Sequence, residues 1–202
     1  MLKFSSVARW AIAAVVCGSL WGCANNVTPE ETELALEPNQ DWTLVEHEGI
    51  QLEIPPNFVV GQPGLELEEL QASLTDAGFG DRTDWLAQNA EDVVLLAFEA
   101  TDDQLSAINV VQIGRSPDEA LEDYLAQQVT QLEAANITVA PPQIEAEVGI
   151  LEISADNQEQ FIYVYPSAED FWVVTYSGGR GQLAASTIER SRRSVEILTQ
   201  AE

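Results

Sequence analysis

Past residue 23 the sequence has no cysteine and no lysine, and the whole chain carries one histidine and one methionine. Each absence closes off a kind of chemistry. Cys17 and Cys23 both lie near the N-terminus, so the body of the chain has no thiol for a disulfide, a thiolate metal site or a nucleophile. A lone histidine cannot supply the paired imidazoles of common zinc sites, and no G-x-S-x-G nucleophile elbow occurs for a serine hydrolase. Positive charge is scarce too: 8 Lys and Arg face 34 Asp and Glu, for a net charge of −26. A surface of that sign repels nucleic acid and anionic lipid headgroups. No apolar run reaches the roughly 20 residues of a comfortable membrane-spanning helix. The expectation is a chain with no catalytic residue, no metal site and no cofactor, hence not an enzyme.

What is there begins at the N-terminus. MLKFSSVARW carries Lys3 and Arg9 and no acid, and an apolar run continues from Trp10 to Trp21. A basic start, an apolar middle and small residues before a polar break predict a secretory signal peptide over 1–22. Its end, Leu20-Trp21-Gly22-Cys23, resembles the lipobox of bacterial lipoproteins, with Trp21 departing from the small or β-branched residue usual there. The resemblance implies cleavage between Gly22 and Cys23, a diacylglycerol on the Cys23 thiol, and acylation (palmitate or its like) of the new N-terminus. Two or more acyl chains hold a protein stably at a membrane. The alternative is an ordinary signal peptide with a leftover cysteine. Loss of residues 1–22 leaves six arginines against all 34 acids, about −28. The expected location is a membrane's extracytoplasmic face, periplasmic or on the thylakoid lumen side.

Residues 23–40 read as the lipidated cysteine and an acidic, proline-containing tether, and residues 41–202 as one domain. Ile50 to Ile54 alternates as a half-buried strand that Pro55-Pro56 ends. Leu65 to Ala77 has the spacing of an amphipathic helix, with a shorter helical piece around Trp85 and Leu86. Val93–Phe98 and Ala107–Ile113 are apolar runs of covered strands, joined by a turn at Asp102-Asp103. Ser116-Pro117-Asp118-Glu119 predicts a helix start, with Ser116 as cap and Glu119 closing a capping box, running to about Asn136. Short strands follow near 137–139, 144–153, 160–165 and 171–176, the last two joined by a hairpin over 166–170. Gly178-Gly179-Arg180-Gly181 leads into a final helix expected over 182–198. Strands joined by short turns favour an antiparallel sheet whose faces helices must cover, an α+β sandwich.

The blocks INVVQIG, SPDEALEDYLAQQVTQLEAANI, FIYVYPSAEDFWVVTYSG and RSVEIL resemble the PsbP-like superfamily. Its members include the extrinsic photosystem subunit, lipidated relatives in photosynthetic bacteria and the LpqN-type lipoproteins. Ile54-Pro55, Ile108-Asn109-Val110 and Ser194-Val195 match its recurrent packing motifs, with Val195 where an aromatic is usual. The longer signature of the photosystem subunit is absent. The resemblance implies an α/β/α sandwich and a non-enzymatic binding or assembly module, with a protein partner at the membrane such as a photosystem. The alternative is a carrier enclosing a small apolar ligand between sheet and helices.

Local candidates carry weaker signals. His47, flanked by Glu46 and Glu48, suits a metal ligand or a base; an exposed turn residue is the plainer reading. The acid pairs Glu68-Glu69, Asp102-Asp103, Asp118-Glu119 and Glu122-Asp123 lack the spacing of a calcium loop and read as solvated surface. Gly178–Gly181 before a helix can cradle an anion or simply turn the chain. Arg190, Arg192 and Arg193 form the one basic cluster. They can dock a carboxylate partner or a lipid phosphate, or complement the helix dipole and pair with local acids. Trp85 and Trp172 are read as core.

Overall fold

A computed structural model describes residues 42–47, 49–101, 104–155 and 157–198. The lipobox with Gly22 and Cys23, the tether and the Asp102-Asp103 turn lie outside the described residues. Chain order is β1 (Thr43–His47), β2 (Ile50–Ile54), β3 (Val59–Gly61), α1 (Pro63–Asp76), a 3-10 turn (Gly80–Arg82), α2 (Thr83–Asn89), β4 (Val93–Thr101), β5 (Gln104–Gly114), α3 (Leu121–Ala134), β6 (Gln143–Glu145), β7 (Val148–Ala155), β8 (Gln158–Pro166), β9 (Asp170–Gly179), α4 (Ala185–Arg193) and β10 (Glu196–Ile197).

Seven strands form the main sheet in the order β3-β4-β5-β9-β8-β7-β6, every pair antiparallel. A second, three-stranded sheet runs β1-β2-β10. Side chains alternate across the main sheet with the period of the pleat. On β9, Phe171 and Val173 point to one layer while Trp172, Val174 and Tyr176 point to the other. The first layer is roofed by α1, α2 and α3 through Leu70, Leu86, Leu125 and Leu132. The second is closed by β2 through Ile50, Leu52 and Ile54, and by Ile188 of α4. The fold is therefore an antiparallel α+β sandwich, and the layer opposite the three helices is half helix, half small sheet.

The sequence patterns hold where burial is one-sided or complete. Pro55 and Pro56 follow the end of β2, and β8 and β9 meet in the expected hairpin, where Ser167 N–H donates to the Asp170 carbonyl at 2.8 Å. The covered strands extend past their apolar runs, because Glu99 to Thr101 and Gln104 to Ser106 still pair across the hairpin. A bulge between Val93 and Leu95 lets two successive residues face the same layer.

Two helix expectations need correction. The third helix starts at Leu121, not at Pro117. Glu119 Oε2 does accept from Ser116 N–H at 3.3 Å, but Glu119 N–H turns back to the Ser116 carbonyl, closing a tight turn. Arg115 Nε then holds the Glu119 carbonyl at 2.9 Å, which keeps that turn out of the helix. The final helix spans only Ala185–Arg193, and Glu196 and Ile197 become β10 against Gln51 and Ile50. The strand near 137–139 reduces to a single bridge from Val139 to Ile153, and 144–153 divides into β6 and β7 around Ala146 and Glu147, both at positive φ.

Candidate functional site

The basic cluster sits on α4 where it crosses the edge of β2. Ile188 and Ser191 turn inward at i, i+3 spacing, which sends Arg190, Arg192 and Arg193 to the rim. Each guanidinium has company. Arg190 Nε donates to Glu53 Oε2 at 2.8 Å, and its guanidinium lies 4.2 Å from the Trp42 ring centroid. Arg192 donates to Glu189 and approaches Glu145 at 3.6 Å, with its guanidinium 5.4 Å from the Tyr163 ring centroid. Arg193 donates to the other Glu189 oxygen and remains mostly exposed. The hydrogen bonds from Arg192 and then Arg193 hold the Glu189 carboxyl below the usual carboxylate range. The result is a mixed-charge rim on an acidic protein, with three arginines interleaved with Glu53, Glu145 and Glu189.

Beneath the rim, Ser191 and Ser194 do work that sequence reading missed. β10 pairs with β2 only at Gln51 and Ile50, which leaves the Glu53 peptide groups facing α4. Ser194 Oγ accepts from Glu53 N–H at 2.7 Å, and Ser191 Oγ donates to the Glu53 carbonyl at 2.7 Å. The two hydroxyls stand in for a missing strand. Ser191 Oγ also accepts from the buried Tyr176 hydroxyl at 3.0 Å, tying the helix to both sheets. Ser194 was marked only by the Ser194-Val195 packing motif of the resemblance, and Ser191 by nothing beyond its spacing from Ser194, which surface helices also show.

The remaining candidates are dispersed. His47 ends β1, and Trp172 is core, its ring packed where Gly49 has no side chain. The glycine loop uses its own amides: Gly179 N–H donates to Gln182 Oε1 at 2.7 Å and Gly181 N–H to Glu159 Oε2 at 3.3 Å. Among the described residues no three His, Cys, Asp or Glu gather as metal ligands, and no helix is long and apolar enough to cross a membrane. Trp85 differs from the core expectation: it is half-buried at the edge of the helix-side core, and its indole Nε1 is buried without a hydrogen-bond partner. It borders a cavity of about 50 Å³ between the main sheet and helices α2 and α3.

No protein-family model matches the chain, and no curated protein sequence does. Among solved structures, the chain is similar to cyanobacterial PsbP (CyanoP) from Synechocystis sp. PCC 6803, with 9% identity and a TM-score of 0.50 over 83% of this chain and 98% of that one. At that identity the likeness concerns the fold. Its antiparallel sheets and flanking helices give this chain a PsbP-like fold.

Proposed function

We propose that the protein is an extracytoplasmic accessory module, held at a membrane by a lipid on Cys23 and acting by binding a protein partner without catalysis. The observation that carries this reading is the lipobox-type sequence Leu20-Trp21-Gly22-Cys23 upstream of a PsbP-like domain. A net charge of about −28 past residue 22 supports attachment by lipid and not by charge, since anionic headgroups repel it. The PsbP-like superfamily that the sequence resembles includes an extrinsic photosystem subunit, and a membrane complex of that kind is the proposed setting. The rim of Arg190, Arg192 and Arg193 is the proposed contact. An acidic partner would exchange its carboxylates for Glu189 and Glu53, and Arg193 is already open to it.

Two measurements test this. Cys23→Ser should leave an unprocessed precursor; a variant cleaved and membrane-bound like the wild type would refute the anchor. Cross-linking in intact membranes, with carboxylate-reactive reagents because the body of the chain lacks lysine, should recover a partner. The triple change of Arg190, Arg192 and Arg193 to Gln should reduce that recovery several-fold with the domain still folded. Full recovery by the triple variant would remove the rim from the proposal.

A further inference from the structure

The turn between β5 and α3 walls an open groove of about 530 Å³. Its apolar side is Ile113 and Phe171, cross-strand partners on β5 and β9, with the Tyr124 ring centroid 4.5 Å from that of Phe171. Its polar side is Asp118, Glu119 and the Gln127 amide, and no cationic side chain among the described residues lines it. A volume of about 300–1,000 Å³, apolar walls and a few convergent polar groups are the usual features of a small-molecule site.

Tyr124 supplies the second observation. The residue is 3% exposed, yet its hydroxyl makes no hydrogen bond among the described residues. The Tyr165 and Tyr176 hydroxyls differ, donating to the Arg192 carbonyl and to Ser191 Oγ. After burial, the Glu119 carboxylate is the cause that pushes the Tyr124 phenol up, which puts the hydroxyl end of the ring on the acidic side of the groove. Buried polar groups are normally hydrogen-bonded, and a ligand seated here would satisfy this one.

Charge selects the class of ligand. Two carboxylates beside a phenolic oxygen offer acceptors to a cation and repel an anion. Glu119 spends Oε2 on Ser116 N–H at 3.3 Å, which leaves Oε1 to a ligand. A bare calcium ion would need six to eight oxygens, and no three acidic or imidazole ligands gather among the described residues. An organic cation uses the apolar wall as well. The opposing charge is Arg115, whose Nε and Nη1 are taken by the Glu119 and Ser167 carbonyls and whose guanidinium stands 5.2 Å from the Phe171 ring centroid. It does not line the groove, and it fixes the turn that carries both acids.

We infer that this groove binds a small organic amine, with its ammonium between the Tyr124 hydroxyl and the carboxylates of Asp118 and Glu119 and its apolar body against Ile113 and Phe171. The site goes beyond the accessory role and does not depend on it. The test uses the full-length chain labelled with 3-fluorotyrosine in a non-ionic detergent, with micelles alone as the blank. Benzylamine is the probe; benzyl alcohol, its neutral isostere, and benzoate, its anionic counterpart, are the controls. Benzylamine should shift the Tyr124 fluorine resonance, assigned by its loss in Tyr124→Phe, in a saturable manner. It should bind about ten- to a hundredfold more tightly than benzyl alcohol, the size of one hydrogen bond to a charged group, and benzoate should leave the resonance unmoved. Asp118→Asn combined with Glu119→Gln should abolish the preference for the amine, and the new amide oxygen can still accept from Ser116 N–H. Glu68→Gln combined with Glu69→Gln removes the same charge from exposed positions on α1 and should keep the preference, which separates the groove from the general field of an acidic protein. If the groove variant does not fold, the three probes on the wild type and on the α1 variant decide. No saturable shift at Tyr124, equal affinity for amine and alcohol, or loss of the preference in the α1 variant would overturn the assignment.

Discussion

Ser191 shows how much one hydroxyl can hold. It is fully buried, donates to the Glu53 carbonyl and accepts from Tyr176, so its removal strands two polar groups at once. A buried group left without its partner costs about 1–3 kcal/mol, more than the net of about 0.5–1.5 that an intact bond contributes, whereas losing both partners together is nearly neutral. Ser191→Ala should therefore destabilise the domain by about 2 kcal/mol in urea melts. Tyr176→Phe should cost less, and the double variant should fall short of the sum, because part of each loss is the other's orphaned partner. Strict additivity would show that the bond contributes nothing. Residues of this kind were the least legible in the sequence. Leu52 and Ile54 announced their burial by alternation, whereas Ser191 and Ser194 matter because β10 pairs with β2 only as far as Gln51, two residues short of Glu53. The Trp85 indole was equally silent, since an apolar ring in an apolar layer reads as core until its N–H is found without a partner.

Elements were legible where the local pattern and the tertiary fold agreed. Strand alternation and the proline pair fixed β2, and complete burial gave β4 and β5 as continuous apolar runs. The start of α3 failed where a neighbouring side chain, anchored to the hairpin between β8 and β9, took over. Arg115 binds the Glu119 and Ser167 carbonyls and stacks 5.2 Å from the Phe171 ring centroid, so the predicted cap became an anchored turn. Close approach of α3 to the sheet rests on a glycine for a packing reason. A Cβ at Gly149 would lie 2.9 Å from Leu125 Cδ1 and 3.1 Å from Leu121 Cδ1. Gly149→Ala should push α3 off β7 and destabilise the domain by about 1–3 kcal/mol, as overpacking does. Leu125→Val in the same chain should recover part of that loss, because it withdraws one of the obstructing methyl groups. Thermal melts of the single and double variants check this; a double variant less stable than either single change would place the strain elsewhere.

The whole molecule combines a large negative charge with four tyrosines kept from ionising. Tyr124, Tyr163, Tyr165 and Tyr176 account for every tyrosine in the chain. Burial is the first cause that pushes each above the ordinary 10.0, with Tyr124, Tyr165 and Tyr176 displaced furthest. A folded-state value raised above the unfolded one means the unfolded chain gives up these protons first. The stabilising effect is thus whole below about pH 10 and is lost as pH climbs toward the folded values. Each phenol that stays protonated in the fold removes up to about 1.4 kcal/mol of stability per pH unit above that point. Three strongly displaced tyrosines give a slope near 4 kcal/mol per unit, while the carboxylates, ionised far below pH 10, add repulsion that does not vary over this range. A domain with about 5–15 kcal/mol of stability should then unfold cooperatively one to several units above pH 10. Circular dichroism and tyrosinate absorbance should change together, since ionisation waits for unfolding. Tyr176→Phe should lower the slope by about a third, and tyrosinate signals that rise well before the fold is lost would refute the coupling.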